Sequence, residues 1–283
     1  MISIIICSRT QIISSDLSDN INKTIGCEYE LIVIDNSQNN YSIFQAYNQG
    51  IKQSNGNYWC FMHDDILFHT QNWGTKIKEI FSNDAQIGLL GVAGAKLKTK
   101  MPSAWWDCPH KFMVTNIIHA SVNNKKEKQY HGFDYGDNVE VATVDGVFMV
   151  IRANELIRFD ERLMGFHNYD FNLAIQMVKQ LLKVVVTNQI LIEHSSIGNI
   201  DKTWITSALT FDKYHSNMLP LNPSKSLNNK EMKAIEFKNG MLFCEKLIQY
   251  QFKKKAIYYW LELLKLKPFS KFHYRFLKKW LLT

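Results

Sequence analysis

An apolar run, Tyr58-Trp-Cys-Phe-Met62, leads straight into an imidazole and two adjacent carboxylates, His63-Asp64-Asp65. Neighbouring carboxylates repel each other, and a divalent cation held between them relieves the repulsion. A histidine in the same turn adds a nitrogen donor to the oxygen set. The plain alternative is a loop of solvated acids with an Asx turn or a helix cap, and the tripeptide alone leaves both readings open. Two further runs end in polar residues of the same kind. Ile2–Cys7 gives way to Ser8-Arg9, and Tyr29–Ile34 gives way to Asp35-Asn36-Ser37. The first strand-like run is followed by no G-x-G-x-x-G, and the chain contains no G-x-x-x-x-G-K-[ST]. A phosphate-bearing ligand here would therefore rely on a cation or on basic side chains, with no glycine-rich cradle.

The elements that must hold these residues follow from periodicity. Residues 2–7, 29–34, 58–62 and 87–93 read as buried β-strands, and 41–54 and 73–81 as helices. Buried strands separated by crossovers predict an α/β fold with a mostly parallel sheet. Ligands of such sheets sit beyond the carboxyl ends of the strands, so the loops at Ser8-Arg9, Asp35-Asn36 and His63-Asp64-Asp65 converge on one crevice. Residues 95–140 read as irregular and polar, with Trp105-Trp106 and a lysine-rich turn over 123–128. Strands over 139–144 and 146–151 flank Asp145, a helix follows over 169–182, then strands over 183–186 and 189–192, the last ending at Glu193-His194.

This order of features resembles the family 2 glycosyltransferases of the GT-A fold over roughly residues 1–200, in an H-D-D variant. The resemblance implies a Rossmann-like nucleotide-diphospho-sugar transferase sheet with flanking helices. Ile4-Ile-Ile-Cys7-Ser8-Arg9 and Val33-Ile-Asp35-Asn36 then match the segments that hold the nucleotide, with Asp64 beside them. Tyr47-Asn-Gln-Gly50 and Asn55-Gly-Asn-Tyr58 match the helix and turn that precede a D-x-D metal motif. Asp65 occupies the place of its metal-ligating final Asp, and His63 replaces the first. Asp170 in Gly165-Phe-His-Asn-Tyr169-Asp170 matches the base of inverting members, with Tyr169 in place of the usual Glu. An acid there also serves as an ordinary helix N-terminal charge. His194 matches a strand-end ligand of metal or pyrophosphate, although such histidines are often only structural. Asp145 and Gly146 match the segment beneath the acceptor, and Trp105 and Trp106 the loop facing it, where an indole offers a platform for a sugar. The implied cofactor is Mn²⁺ or Mg²⁺. The implied donor is a UDP-sugar and the implied acceptor a glycan or a lipid-linked glycan of bacterial surface polysaccharide. A nucleotidyltransferase lacks its glycine-rich loop here. A non-catalytic glycan-binding scaffold is the alternative that His63 and Tyr169 raise.

Composition locates the charge. The 283 residues carry 33 Lys and Arg against 26 Asp and Glu, a net +7. Nine of those bases and a single acid, Glu262, lie in 250–283, which leaves 1–249 at −1 and speaks against a nucleic-acid binder. The chain divides into a catalytic domain over 1–220 and a basic helical extension over 221–283, joined by an Asn/Ser/Lys stretch at 222–229. In the extension, helices over 252–267 and 269–282 place Phe269, Phe272, Phe276 and Trp280 at helical spacing. That is the pattern of a helix lying on an anionic membrane surface; packing on the catalytic domain or a homodimer contact would produce it too. Five scattered cysteines without a C-x-x-C pair suit a reducing compartment. With no leader or spanning segment legible, the expectation is a cytoplasmic protein, peripheral on the inner face of the cell membrane.

Overall fold

The structure, a computed structural model, describes residues 1–120, 126–196, 198, 200–223, 225 and 227–282. In chain order the elements are β1 (Ile2–Ser8), α1 (Ser15–Thr24), β2 (Tyr29–Asp35), α2 (Ile43–Gln53), β3 (Tyr58–Met62), β4 (Ile66–Phe68), α3 (Trp73–Asn83), β5 (Ile87–Gly91) and β6 (Ala93–Ala95). Then come β7 (Met113–Ala120), β8 (Lys126–His131), β9 (Asn138–Val141), β10 (Thr143–Val144), β11 (Phe148–Arg152), α4 (Tyr169–Lys179), β12 (Lys183–Thr187), β13 (Ile192–His194) and α5 (Lys202–His215). Three helices close the chain: α6 (Asn229–Gln249), α7 (Lys253–Leu266) and α8 (Lys271–Leu282).

The central sheet runs β2-β1-β3-β11-β5-β12-β9. β1 pairs parallel with β2 and β3, and β5 pairs parallel with β12. β11 is antiparallel to both its neighbours and β9 is an antiparallel edge, so the sheet is mixed where a mostly parallel one was expected. Ile2, Ile4, Ile5 and Ile6 are fully buried because β1 is covered on both faces, which explains its unbroken apolar run. Ser42 starts α2 with a capping box closed by Gln45, fixing the turn that follows Asn36. In this register Ser8 lies opposite Asp35 and Ile6 opposite Met62, so His63 leaves β3 at the same sheet edge.

A second sheet, β10-β6-β7-β13-β4 with β8 on β7, stands against this edge. Two expected strands are divided between the sheets. The run over 87–93 breaks at Val92 into β5 and β6, and that over 139–144 breaks at Ala142 into β9 and β10. A Cβ on Gly94 would lie 2.2 Å from the Thr143 carbonyl oxygen, so only glycine lets β6 and β10 approach this closely. The region over 95–140, expected to be irregular, contains the β7–β8 hairpin. Part of the expected lysine-rich turn, 123–125, lies outside the described residues, and Lys126 and Lys128 belong to β8. Residues 224 and 226 of the 222–229 stretch also lie outside them.

Helices α6–α8 gather Phe243, Leu247, Tyr259, Leu263, Phe272 and Phe276 into a cluster that also contains Met101, Ala104, Trp204 and Ile205. Phe272 and Phe276 are therefore buried, and Trp280 packs beside them with its Nε1 donating to the Lys253 carbonyl. Phe269 alone of the four expected surface aromatics is exposed. Among the described residues no helix is long and apolar enough to cross a membrane.

Candidate functional site

The sheet edge opens into a cleft of about 840 Å³ lined from one side by Ser8, Arg9 and Asn36 and from the other by Trp105, Trp106 and Asp170. Its floor is a triangle of atoms of the kind that bind metal ions. His63 Nδ1 lies 3.3 Å from His194 Nε2, which lies 3.3 Å from Asp65 Oδ1, and the third side, His63 Nδ1 to Asp65 Oδ1, is 3.8 Å. Ligands bonded at about 2.1–2.2 Å and about 90–110° apart around one ion are about 3.0–3.5 Å from each other, so the triangle needs little adjustment to hold a divalent cation. Asp65 Oδ1 is buried and has no hydrogen-bond partner, as expected of an atom reserved for a ligand. Among the described residues this is the one such group of three.

Backbone pairing holds the triangle together. His63 N donates to the Val147 carbonyl just before β11, and Ser195 N donates to the Asp65 carbonyl, tying the turns that carry the triangle. Burial opposes ionisation of Asp65, but His194 and His63 beside it, with Ser196, hold its carboxyl well below the ordinary value. Burial, and then His194, push the His63 imidazole down, toward the neutral form whose ring nitrogen has a lone pair to offer. His63 Nε2 lies 2.7 Å from the Tyr169 hydroxyl, so Tyr169 orients the ring from behind. Gly146 makes room for that phenol: a Cβ there would sit 2.3 Å from the Tyr169 oxygen. What approaches Gly146 closely is thus Tyr169.

On the strand-end side, Asp64 fixes Arg9. Its carboxylate accepts from the Arg9 backbone N at 3.0 Å and from the guanidinium at 2.7 Å, and the same guanidinium lies 3.3 Å from Asp65 Oδ2. Asn36 braces its own loop by accepting from Tyr41 N and donating to the Tyr41 carbonyl. Cys7 lines the cleft with its thiol pushed up to about 11 by burial, so it offers surface and no nucleophile. Asp35 does not line the cleft. It ends β2 opposite Ser8, is exposed, and accepts from Ser37 N in an Asx turn.

Across the cleft, Asp170 sits in the first turn of α4, held inward by Asn168, whose backbone is left-handed (φ 63°) and whose side chain donates to Ser207. Burial, and then the neighbouring Asp145, push the Asp170 carboxyl up to about 7. Phe171 N donates to its Oδ1 at 2.8 Å and offsets only part of that effect. Asp145 accepts from Trp105 Nε1 at 3.0 Å and from Val147 N, so it positions Trp105, which is buried, while Trp106 stands partly exposed at the mouth. The β7–β8 hairpin adds His119, Glu127 and Gln129 to the wall, three residues that no motif in the sequence marks. The run before His119, rich in β-branched residues, carries a strand signal, whereas Lys126–His131, polar except for Tyr130, carries little.

A family model described as "Glycosyltransferase like family" matches residues 3–219. No curated protein matches the chain in sequence. Among solved structures, GalNAc-T7 with UDP, GalNAc and Mn2+ is similar at a TM-score of 0.51 and 10% identity, covering 90% of this chain and 57% of that one. A197 from STIV is similar at a TM-score of 0.41 and 10% identity, covering 71% of this chain and 86% of that one. The chain thus spans little more than half the length of the GalNAc-T7 chain. At this identity the GalNAc-T7 likeness is one of fold, the GT-A arrangement.

Proposed function

The chain belongs to the glycosyltransferase-like family, and from that we propose that it moves a sugar from a nucleotide-diphosphate donor, a UDP-sugar, to a glycan or lipid-linked acceptor in surface-polysaccharide synthesis, inverting the anomeric carbon. The observation that carries this reading is the convergence of His63, Asp65 and His194 in a cleft whose opposite wall presents Asp170. A similar fold is known with UDP and Mn2+ in GalNAc-T7. Those three side chains would hold Mn²⁺ or Mg²⁺, which, when bound, neutralises the charge that gathers on a departing diphosphate.

The rest is done by side chains. Arg9, presented by Asp64, faces the donor's phosphates, and Cys7, Ser8 and Asn36 line the wall for its nucleoside. Asp170 takes the proton of the acceptor hydroxyl as its oxygen bonds to the anomeric carbon and the bond from that carbon to the diphosphate oxygen breaks. A carboxyl pushed up to about 7 is matched to this task near neutral pH, because it is basic enough to accept the proton and still largely ionised just above that pH. Trp106 at the mouth gives the acceptor's sugar a face to rest on.

The catalytic unit is 1–220, and 221–283 is its basic extension. A lipid-linked acceptor would meet the enzyme at a bilayer, and the outer side of α7 and α8 suits that meeting. Tyr258, Leu261, Tyr274, Leu277 and Leu281 on these helices, and Phe269 between them, are exposed, as are Lys254, Lys255, Lys271, Arg275 and Lys278. A thermal-shift panel of nucleotide sugars tests the donor reading: one UDP-sugar should raise the melting temperature, and only with Mn²⁺ or Mg²⁺ present. Equal response to every nucleotide sugar, or none to any, would remove it.

A further inference from the structure

Across the second sheet, backbone register places three polar side chains in one row that begins at the cation triangle. His194 on β13 lies opposite His119 on β7, and His119 lies opposite Glu127 on β8. The His119 and His194 rings are 6.1 Å apart between centroids. Gln129 lies two residues from Glu127, on the same face of β8. All four line the cleft. With adjacent strands about 4.8 Å apart, Glu127 stands about 10 Å from the triangle along this wall.

Strand alternation sorts the hairpin's charges. Lys126 and Lys128 occupy the back face, where Lys126 donates to Glu193 at 2.8 Å and Lys128 lies over the Tyr130 ring. Glu193, the partner of Lys126, alternates with His194 in the same way, so one face of β13 holds the ion pair and the other the histidine of the triangle. The cleft face of the hairpin is left with a carboxylate, an amide and an imidazole. These groups bind hydroxyls well, and the carboxylate repels an anion.

Resting on the donor reading above, we propose that His119, Glu127 and Gln129 form the wall that reads the transferred sugar, and that Glu127 selects a neutral hexose over a uronic acid. A sugar joined to a diphosphate at His194 has this row beside it, so its hydroxyls donate to the Glu127 carboxylate and exchange hydrogen bonds with Gln129 and His119. A sugar with its own carboxylate at that position would face Glu127 across a short gap with no lysine of the described hairpin residues turned toward it.

Calorimetric titration of the full chain in Mn²⁺ tests the proposal, with UDP, UDP-glucose, UDP-galactose and UDP-glucuronic acid as probes. Wild type should bind a neutral UDP-hexose about tenfold or more tightly than UDP-glucuronic acid. Glu127→Gln should shrink that ratio and Glu127→Lys should reverse it, while UDP itself binds all three proteins equally. Glu127 is exposed on β8, so neither change disturbs a packed core. UDP bound by every protein with an unchanged hexose-to-uronate ratio would overturn the wall alone. Failure of wild type to bind UDP would overturn the donor reading and the wall with it.

Discussion

Replacing Asp170 with Asn should remove activity and yet stabilise the protein, and pH should control how much. In the folded chain the carboxyl is pushed from its ordinary 3.8 up to about 7, first by burial and then by Asp145. A raised carboxyl favours folding only while it is protonated. That stability is fully present below about pH 4, falls as pH rises through the folded value, and is gone above about pH 7. At about 1.4 kcal/mol for each tenfold change in proton affinity, wild type gives up about 4 kcal/mol between those limits. Asparagine has nearly the same shape and never ionises. Asp170→Asn should therefore gain about 2–4 kcal/mol over wild type at pH 8 and little at pH 4.5. Urea denaturation of both proteins at the two pH values measures this directly, and loss of sugar transfer at pH 8 completes the pattern. A variant destabilised equally at both pH values would refute the buried, proton-hungry carboxylate and the base assigned to it.

Gly146→Ala drives a methyl group to within 2.3 Å of the Tyr169 oxygen and should break the 2.7 Å contact to His63. Mn²⁺ affinity, followed by the electron paramagnetic resonance signal of the free ion, should fall about tenfold or more; unchanged affinity would mean that Tyr169 does not orient His63. Reversing three exposed charges on α8, Lys271→Glu, Arg275→Glu and Lys278→Glu, should cut flotation with phosphatidylserine vesicles by tenfold or more, at about 1 kcal/mol per basic residue near an anionic surface. Retained flotation would exclude α8 as the membrane contact. Charge reversal is a cleaner test than truncation, because removing α7 and α8 uncovers Phe243, Cys244 and Leu247.

Much of this was legible in the sequence, for identifiable reasons. Unbroken apolar runs such as Ile2–Cys7 and Tyr58–Met62 betray strands buried on both faces, and the residues that end them, Ser8, Arg9 and His63, fall at one sheet edge by topology alone. His194 and Asp170 stood out through the family resemblance, since a strand-end histidine and a helix-start acid are common without any role in a site. The β7–β8 hairpin was hidden because β8 is polar on both faces and is a strand only by virtue of its pairing with β7. Asp35 carried the right residue type at the right strand end, but its carboxylate caps its own loop through Ser37 N and it does not line the cleft. In α8 the spacing of Phe272, Phe276 and Trp280 revealed an apolar face without revealing what covers it. The cover is α6 and α7, where Phe237 meets Phe272 and Trp260 stacks on Phe276. Periodicity reports that a face is apolar; register and packing decide what lies against it.

The central claim is that the His63, Asp65 and His194 triangle binds a cation that in turn holds a nucleotide diphosphate. Calorimetric titration of UDP into the full chain tests it most directly, in Mn²⁺ and again in EDTA, for wild type and Asp65→Ala. The account predicts binding by wild type in Mn²⁺ alone, abolished by EDTA and by the substitution. UDP affinity that is indifferent to EDTA and to Asp65→Ala would contradict it.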